Sequence, residues 1–137
     1  MSRAVMVDSK VLLDLLEEDE AWFDWSARQI QEPANRSVLI INPVIYAEIS
    51  VGFLRIDELE SVLQPDLFER RPIPWEAAFL AGKCFASYRK LGGVRRSPLP
   101  DFFIGAHAAV EGLTLLTRDT TRYRTYFPTI SLIAPDN

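Results

Sequence analysis

From Pro100 to Asp119 the chain reads Pro-Asp-Phe-Phe-Ile-Gly-Ala-His-Ala-Ala-Val-Glu-Gly-Leu-Thr-Leu-Leu-Thr-Arg-Asp, a stretch with an acid near each end. The Pro-Asp start, apolar residues at helical spacing and Gly112 as a stop predict a helix, and Leu113 to Thr117 then predict a short buried strand. The helix travels roughly 17 Å at ~1.5 Å per residue, and the return to Asp119 covers about 20 Å at ~3.3 Å per residue. A helix packed on its own strand therefore brings Asp119 back to the sheet edge that Asp101 left. In open α/β proteins, ligands bind at that edge.

Earlier segments repeat the pattern. Ala4 to Val7 predicts a buried strand ending in Asp8-Ser9, and Val11, Leu12, Leu13, Leu15 and Leu16 recur with helical spacing. The acidic run Glu17 to Glu20 predicts the opening of a second helical stretch through Ile30, stopped by Pro33 and carrying Trp22, Phe23 and Trp25. Ser37 to Ile41 predicts another buried strand, closed by Asn42-Pro43, an N-cap followed by the proline favoured at the first helical position. Glu48 follows within about two turns and borders a face made by Ile45, Ile49 and Gly52. A short helix is predicted from Ile56 to Leu63. Phe68 to Ile73 reads as an edge strand because of Pro72, and a long helix runs from Pro74 to Leu91, stopped by Gly92-Gly93. After Asp119 comes a Thr, Arg and Tyr segment with no assigned element, then a last strand from Thr129 to Ile133.

Strands alternating with helices predict an α/β fold with a mainly parallel sheet and right-handed crossovers. In such a sheet, strand carboxyl ends and the helix starts that follow them share one edge. Asp8 and Asp119 fall at strand ends, and Glu48 and Asp101 in early helix turns, so four acids far apart in sequence are expected to converge.

A length of 137 residues with 48% hydrophobic side chains suits one domain spanning 1–137. Neither a positive n-region leading into an apolar stretch nor a membrane-length apolar run is present, so a soluble cytoplasmic protein without a membrane partner is expected. One cysteine, Cys84, and one histidine, His107, exclude an internal disulfide and a Cys- or His-rich metal site. Cys84 sits in an apolar helical pattern and reads as a small core residue. The net charge of −4 argues against indiscriminate nucleic-acid binding, yet Lys83 to Arg124 holds eight Lys or Arg against three acids. That asymmetry permits a polyanion to approach one face, although on charge alone a solvated surface is the favoured reading.

Two carboxylates about 4 Å apart repel by roughly 4 kcal/mol at an effective dielectric of ~20, so a cluster of four must bind protons or a cation. Oxygen donors select hard ions such as Mg²⁺ or Mn²⁺ over Zn²⁺. Two such ions can clamp the entering and leaving oxygens of an in-line displacement at phosphorus, which is phosphodiester hydrolysis by metal-activated water. Each acid also has a plainer role. Asp101 suits a helix start, Asp119 a turn cap, and Glu48 a solvated helix face. Asp14 reads as a helix surface residue paired with Lys10. His107 lies about 240° around the helix from Asp101 and is expected to face away from the acids.

Val7-Asp8-Ser9 before a Leu-rich helix, Ala47-Glu48-Ile49, Asp101 leading Ile104-Gly105-Ala106-His107-Ala108, and Leu116-Thr117-Arg118-Asp119 occur in an order that resembles the PIN-domain ribonucleases, and within them the VapC-like toxins of toxin-antitoxin pairs. The resemblance covers nearly the whole chain and implies a PIN-like three-layer α/β/α fold with helices flanking the sheet. It implies that Asp8, Glu48 and Asp101 are metal-site acids, Asp119 the fourth acid, and Ser9 and Thr117 supporting hydroxyls. It further implies Mg²⁺- or Mn²⁺-dependent endoribonuclease activity, a homodimer and a cognate antitoxin. Arg95, Arg96, Arg118 and Arg122 are then candidate RNA contacts through phosphate charge. One departure stands out: many members carry Asn two residues after the first Asp, whereas this chain has Lys10. An ammonium there either pairs with a site carboxylate or points to solvent. It supports the alternative of a catalytically weak or inactive PIN-like module that binds RNA or protein. The Trp22, Phe23 and Trp25 cluster predicts a partner interface if exposed and core if buried.

Overall fold

The computed structural model describes residues 3–34, 37–92 and 98–135. In chain order the elements are β1 (Arg3–Val7), α1 (Ser9–Leu16), α2 (Phe23–Ala34), β2 (Ser37–Ile41), α3 (Pro43–Ser50), α4 (Ile56–Val62), β3 (Glu69–Arg70), α5 (Trp75–Lys90), α6 (Leu99–Glu111), β4 (Thr114–Leu116), α7 (Thr120–Tyr126) and β5 (Leu132–Ile133). The strands form one sheet in the order β3-β2-β1-β4-β5, and every pairing is parallel. The α/β fold with a parallel sheet is therefore as expected.

Parallel sheets need cover on both faces, and the strands show it. Val5, Met6 and Val7 are consecutive and wholly buried, as are Leu115 and Leu116, so neither face of β1 or β4 meets water. Ile45, Ile49, Phe102, Ile104 and Ala106 supply the helical side of the core. Burying each large aliphatic side chain stabilises the fold by roughly 1.5–3 kcal/mol. The helices also pack on one another, α5 along α6, α1 on α2 and α3, and α3 against α6.

Local chemistry sets the element ends that matter for the site. Asn42 is the N-cap of α3, its side chain accepting from Ile45 N at 2.9 Å, and Pro43 takes the first turn. Pro100 lies in the first turn of α6, and Gly112 ends the helix with φ +66°. That left-handed backbone favours glycine and lets the chain reverse into β4. Glu69–Arg70 is an edge strand that stops before Pro72.

Two expectations need correcting. The acidic run does not open a helix, because Glu18 adopts φ +50° and the Asp19 carboxylate accepts from Ala21 N and Trp22 N, delaying α2 until Phe23. Residues 120–126, for which the sequence predicts no element, form α7, with Asp119 as N-cap accepting from Arg122 N. The three aromatics of the early cluster are neither free nor fully core. Trp22 and Trp25 meet edge to face at 5.7 Å and are half-buried, while Phe23 is exposed. Among the described residues no helix is long and apolar enough to cross a membrane.

Candidate active site

β1 ends at Val7, and Asp8 N donates to Leu116 O at 2.9 Å, so the first acid is fastened to the end of β4. The Thr117 hydroxyl donates to Asp8 Oδ2 at 2.7 Å and accepts from Asp119 N at 3.0 Å, joining the two strand-end acids through one side chain. Across from them, the Ser9 hydroxyl donates to Glu48 Oε1 at 2.6 Å, tying α1 to α3. Asp101, in the first turn of α6, accepts from Arg122 Nη1 at 2.6 Å, and the same nitrogen lies 3.8 Å from Asp119 Oδ2. The sheet edge thus gathers all four acids named from sequence, along with both hydroxyls.

Their carboxylates feel one another. Asp8 is 3% exposed, and its Oδ1 is buried without accepting a hydrogen bond. Burial is the main force pushing Asp8 up to about 7; the Thr117 hydrogen bond opposes it, and the charges of Asp101, Glu48 and Asp119 add to it. Glu48 is raised by burial, against the Ser9 hydrogen bond and with help from Asp101. Asp101 is raised by burial and held back by Arg122. Lys10 is exposed, and its charge lowers both Glu48 and Asp101, so it acts on the site as a field.

The donor set consists of oxygens, the chemistry of a hard dication, and the unpaired buried oxygen of Asp8 is the atom such an ion would satisfy. On donor chemistry the residues fit Mg²⁺ or Mn²⁺. As the side chains stand, however, no group of three His, Cys, Asp or Glu among the described residues is arranged to hold a metal ion. The Arg122 guanidinium instead supplies positive charge to Asp101.

Other residues fall outside the cluster or were not anticipated. His107 is buried and faces away from the acids: its Nδ1 lies 3.1 Å from Asn42 Nδ2, and its Nε2 3.3 Å from Glu111. Burial lowers its pKa, with Glu111 opposing. Asp14 is not a surface residue paired with Lys10. It is 2% exposed, accepts from the Ser26 hydroxyl at 2.7 Å, and pairs with Arg118 at 2.9 Å. The Arg118 guanidinium also lies 5.0 Å over the Trp22 ring, while Arg95 and Arg96 lie outside the described residues. Tyr123 was missed. Its hydroxyl is buried without a partner, and burial together with the charges of Asp8 and the other acids drives its pKa well up. The one sequence signal for Tyr123 is Asp119, the N-cap of the helix that places it one turn on.

The PIN domain family model matches residues 5–128, and the chain belongs to the PIN domain family. Proteins of this family are typically metal-dependent nucleases. The fold is shared with a chain of VapBC2 from Rickettsia felis bound to a DNA fragment from their promoter, with TM-score 0.73, 17% identity, and coverage of 97% of this chain and 99% of that one. It is shared too with VapBC-5 from Mycobacterium tuberculosis, a member of the VapBC family of toxin-antitoxin systems, with TM-score 0.57, 21% identity and 98% coverage of both chains. The PIN domain endonuclease Utp24 aligns with TM-score 0.54 and 14% identity over 98% of this chain and 86% of that one. In fold, the chain is VapC-like. No curated protein matches it in sequence.

Proposed function

We propose that this PIN domain is an endoribonuclease, the toxin of a toxin-antitoxin pair, dependent on Mg²⁺ or Mn²⁺. The observation that carries the reading is the convergence of Asp8, Glu48, Asp101 and Asp119 on one sheet edge, with a buried Asp8 oxygen that accepts nothing. Asp8, Glu48 and Asp101 would hold the ion, with Asp119 as the fourth acid. When bound, the ion supplies Lewis acidity and positive charge for in-line attack of water at phosphorus. Thr117 orients Asp8, and Ser9 orients Glu48, through the hydrogen bonds already described. Around neutral pH, Asp8 holds a proton for part of the time, and a bound cation would displace it. RNA is the substrate of this reading, and Arg122 is its nearest phosphate contact. An antitoxin partner is supported by structural relatives described as VapBC assemblies, including one bound to promoter DNA. A homodimer in the cytoplasm completes the reading.

A second reading, a PIN-like module that binds without cleaving, is favoured by the absence of a metal-ready acid group among the described residues. One experiment separates them. Antitoxin-free protein is incubated with structured RNA and Mn²⁺, beside Asp8→Ala and Asp101→Ala variants and an EDTA control. Cleavage by the parent alone, abolished by EDTA, is the expected result. Cleavage that survives EDTA or either substitution sinks the metal mechanism, and no cleavage with no calorimetric Mn²⁺ binding favours the binding module.

A further inference from the structure

Arg122 sits where the site's positive charge has to be. Its Nη1 is 2.6 Å from Asp101 Oδ2 and 3.8 Å from Asp119 Oδ2, and its backbone N–H reaches the other Asp119 oxygen at 3.3 Å. One residue thus faces two of the four acids. The guanidinium lies 5.9 Å over the Tyr88 ring, and the side chain keeps 28% of its surface in solvent, so it is held on one side and free on the other. A guanidinium does not lose its proton at any physiological pH. Its charge is therefore permanent, unlike the proton on Asp8. An Asp101 carboxylate paired at 2.6 Å with a guanidinium presents less negative charge to a second cation, so the two compete for it. In the metal-free protein the guanidinium is the positive charge that faces Asp101 and Asp119 directly.

We propose that Arg122 is a tethered counter-cation: it occupies the acid site in the metal-free protein, is displaced from Asp101 when a dication loads, and then serves a phosphate of the bound RNA. This rests on the metal-dependent nuclease reading and adds a competition to it. The metal-free site is kept together by a charge that metal must expel, and expulsion delivers that charge to the substrate. An Arg with a purely structural role has the opposite signature, because its removal would disorder Asp101 and weaken metal binding.

The test is isothermal titration of metal-free protein with Mn²⁺, comparing the parent with Arg122→Met and Arg122→Gln. The methionine keeps an unbranched apolar stem beside Tyr88 and the glutamine keeps polarity, both without charge, so a result common to the two does not come from a packing defect. Circular dichroism establishes that each variant is folded. The expected result is Mn²⁺ binding about three- to tenfold tighter in both variants, the range that loss of one partly exposed ion pair implies. With saturating Mn²⁺, KM for RNA is expected to rise about tenfold, with kcat changing less. Unchanged or weaker Mn²⁺ binding in folded variants overturns the exchange and leaves the metal reading intact. Tighter Mn²⁺ binding with unaltered KM overturns the transfer to phosphate. No Mn²⁺ heat from parent or variant overturns both the exchange and the metal-dependent reading.

Discussion

Asp8 carries a heavy electrostatic burden. It is buried, one of its oxygens accepts nothing, and three like charges face it. A buried carboxylate in that position either ionises at a cost or keeps a proton that the unfolded chain would release, and both weaken the metal-free fold at neutral pH. Asn at position 8 keeps the shape and still accepts from Thr117, without a charge to bury. Asp8→Asn is therefore expected to raise the stability of the metal-free protein by about 1–3 kcal/mol at pH 7.5 while abolishing metal binding. Urea denaturation in EDTA measures the first effect and calorimetry the second. A loss of stability would mean that Asp8 is required by the fold rather than by its site.

At the scale of elements, the β4–α7 connection is pinned from outside. Arg118, between Thr117 and Asp119, reaches α1 to pair with the buried Asp14, and Trp22 covers its guanidinium. The pair holds two site residues against the start of the chain. Removing Arg118 leaves Asp14 a buried, uncompensated charge with only the Ser26 hydroxyl. Arg118→Ala is expected to cost about 3 kcal/mol, against less than ~0.5 kcal/mol for Arg124→Ala on the exposed side of α7. Chemical denaturation distinguishes them, and equal costs would show that the clamp contributes nothing. This element also marks where reading from sequence stops. Asp14 looked like a surface acid because its nearest candidate partner, Lys10, lies one turn away, whereas its real partners are 12 and 104 residues distant. α7 went unassigned because Thr, Arg and Tyr carry no apolar periodicity, and its start is fixed by the Asp119 cap. By contrast, β2, α3 and the ends of α6 were legible, because Asn42-Pro43, Pro100 and Gly112 encode their own caps.

At the scale of the whole molecule, parallel topology did the work of gathering the site. An all-parallel sheet has one edge where strands end, so acids placed after strands or in the helix turns that follow must share it. What topology does not determine is the ionic state of that edge, and this gives a linkage between proton, metal and fold. The folded-state pKa of Asp8 is raised from 3.8 to about 7, so between those values the folded protein binds more protons than the unfolded one. Its contribution to stability is full below about 3.8, falls by at most about 1.4 kcal/mol per pH unit through the window, and is gone above about 7. Glu48 and Asp101, also raised, act in the same sense. His107, lowered by burial, acts in the opposite sense on the acid side of 6.5, so it does not oppose the acids above that pH. A dication supplies the charge that these protons otherwise supply, and it competes with them. Saturating Mn²⁺ is therefore expected to raise Tm by several degrees more at pH 7.5 than at pH 5.5, with proton release seen as a buffer-dependent binding heat. Asp8→Asn should flatten that difference. Differential scanning calorimetry at the two pH values reads it directly, and an equal Mn²⁺ shift at both would mean that the ion binds away from the protonated acids.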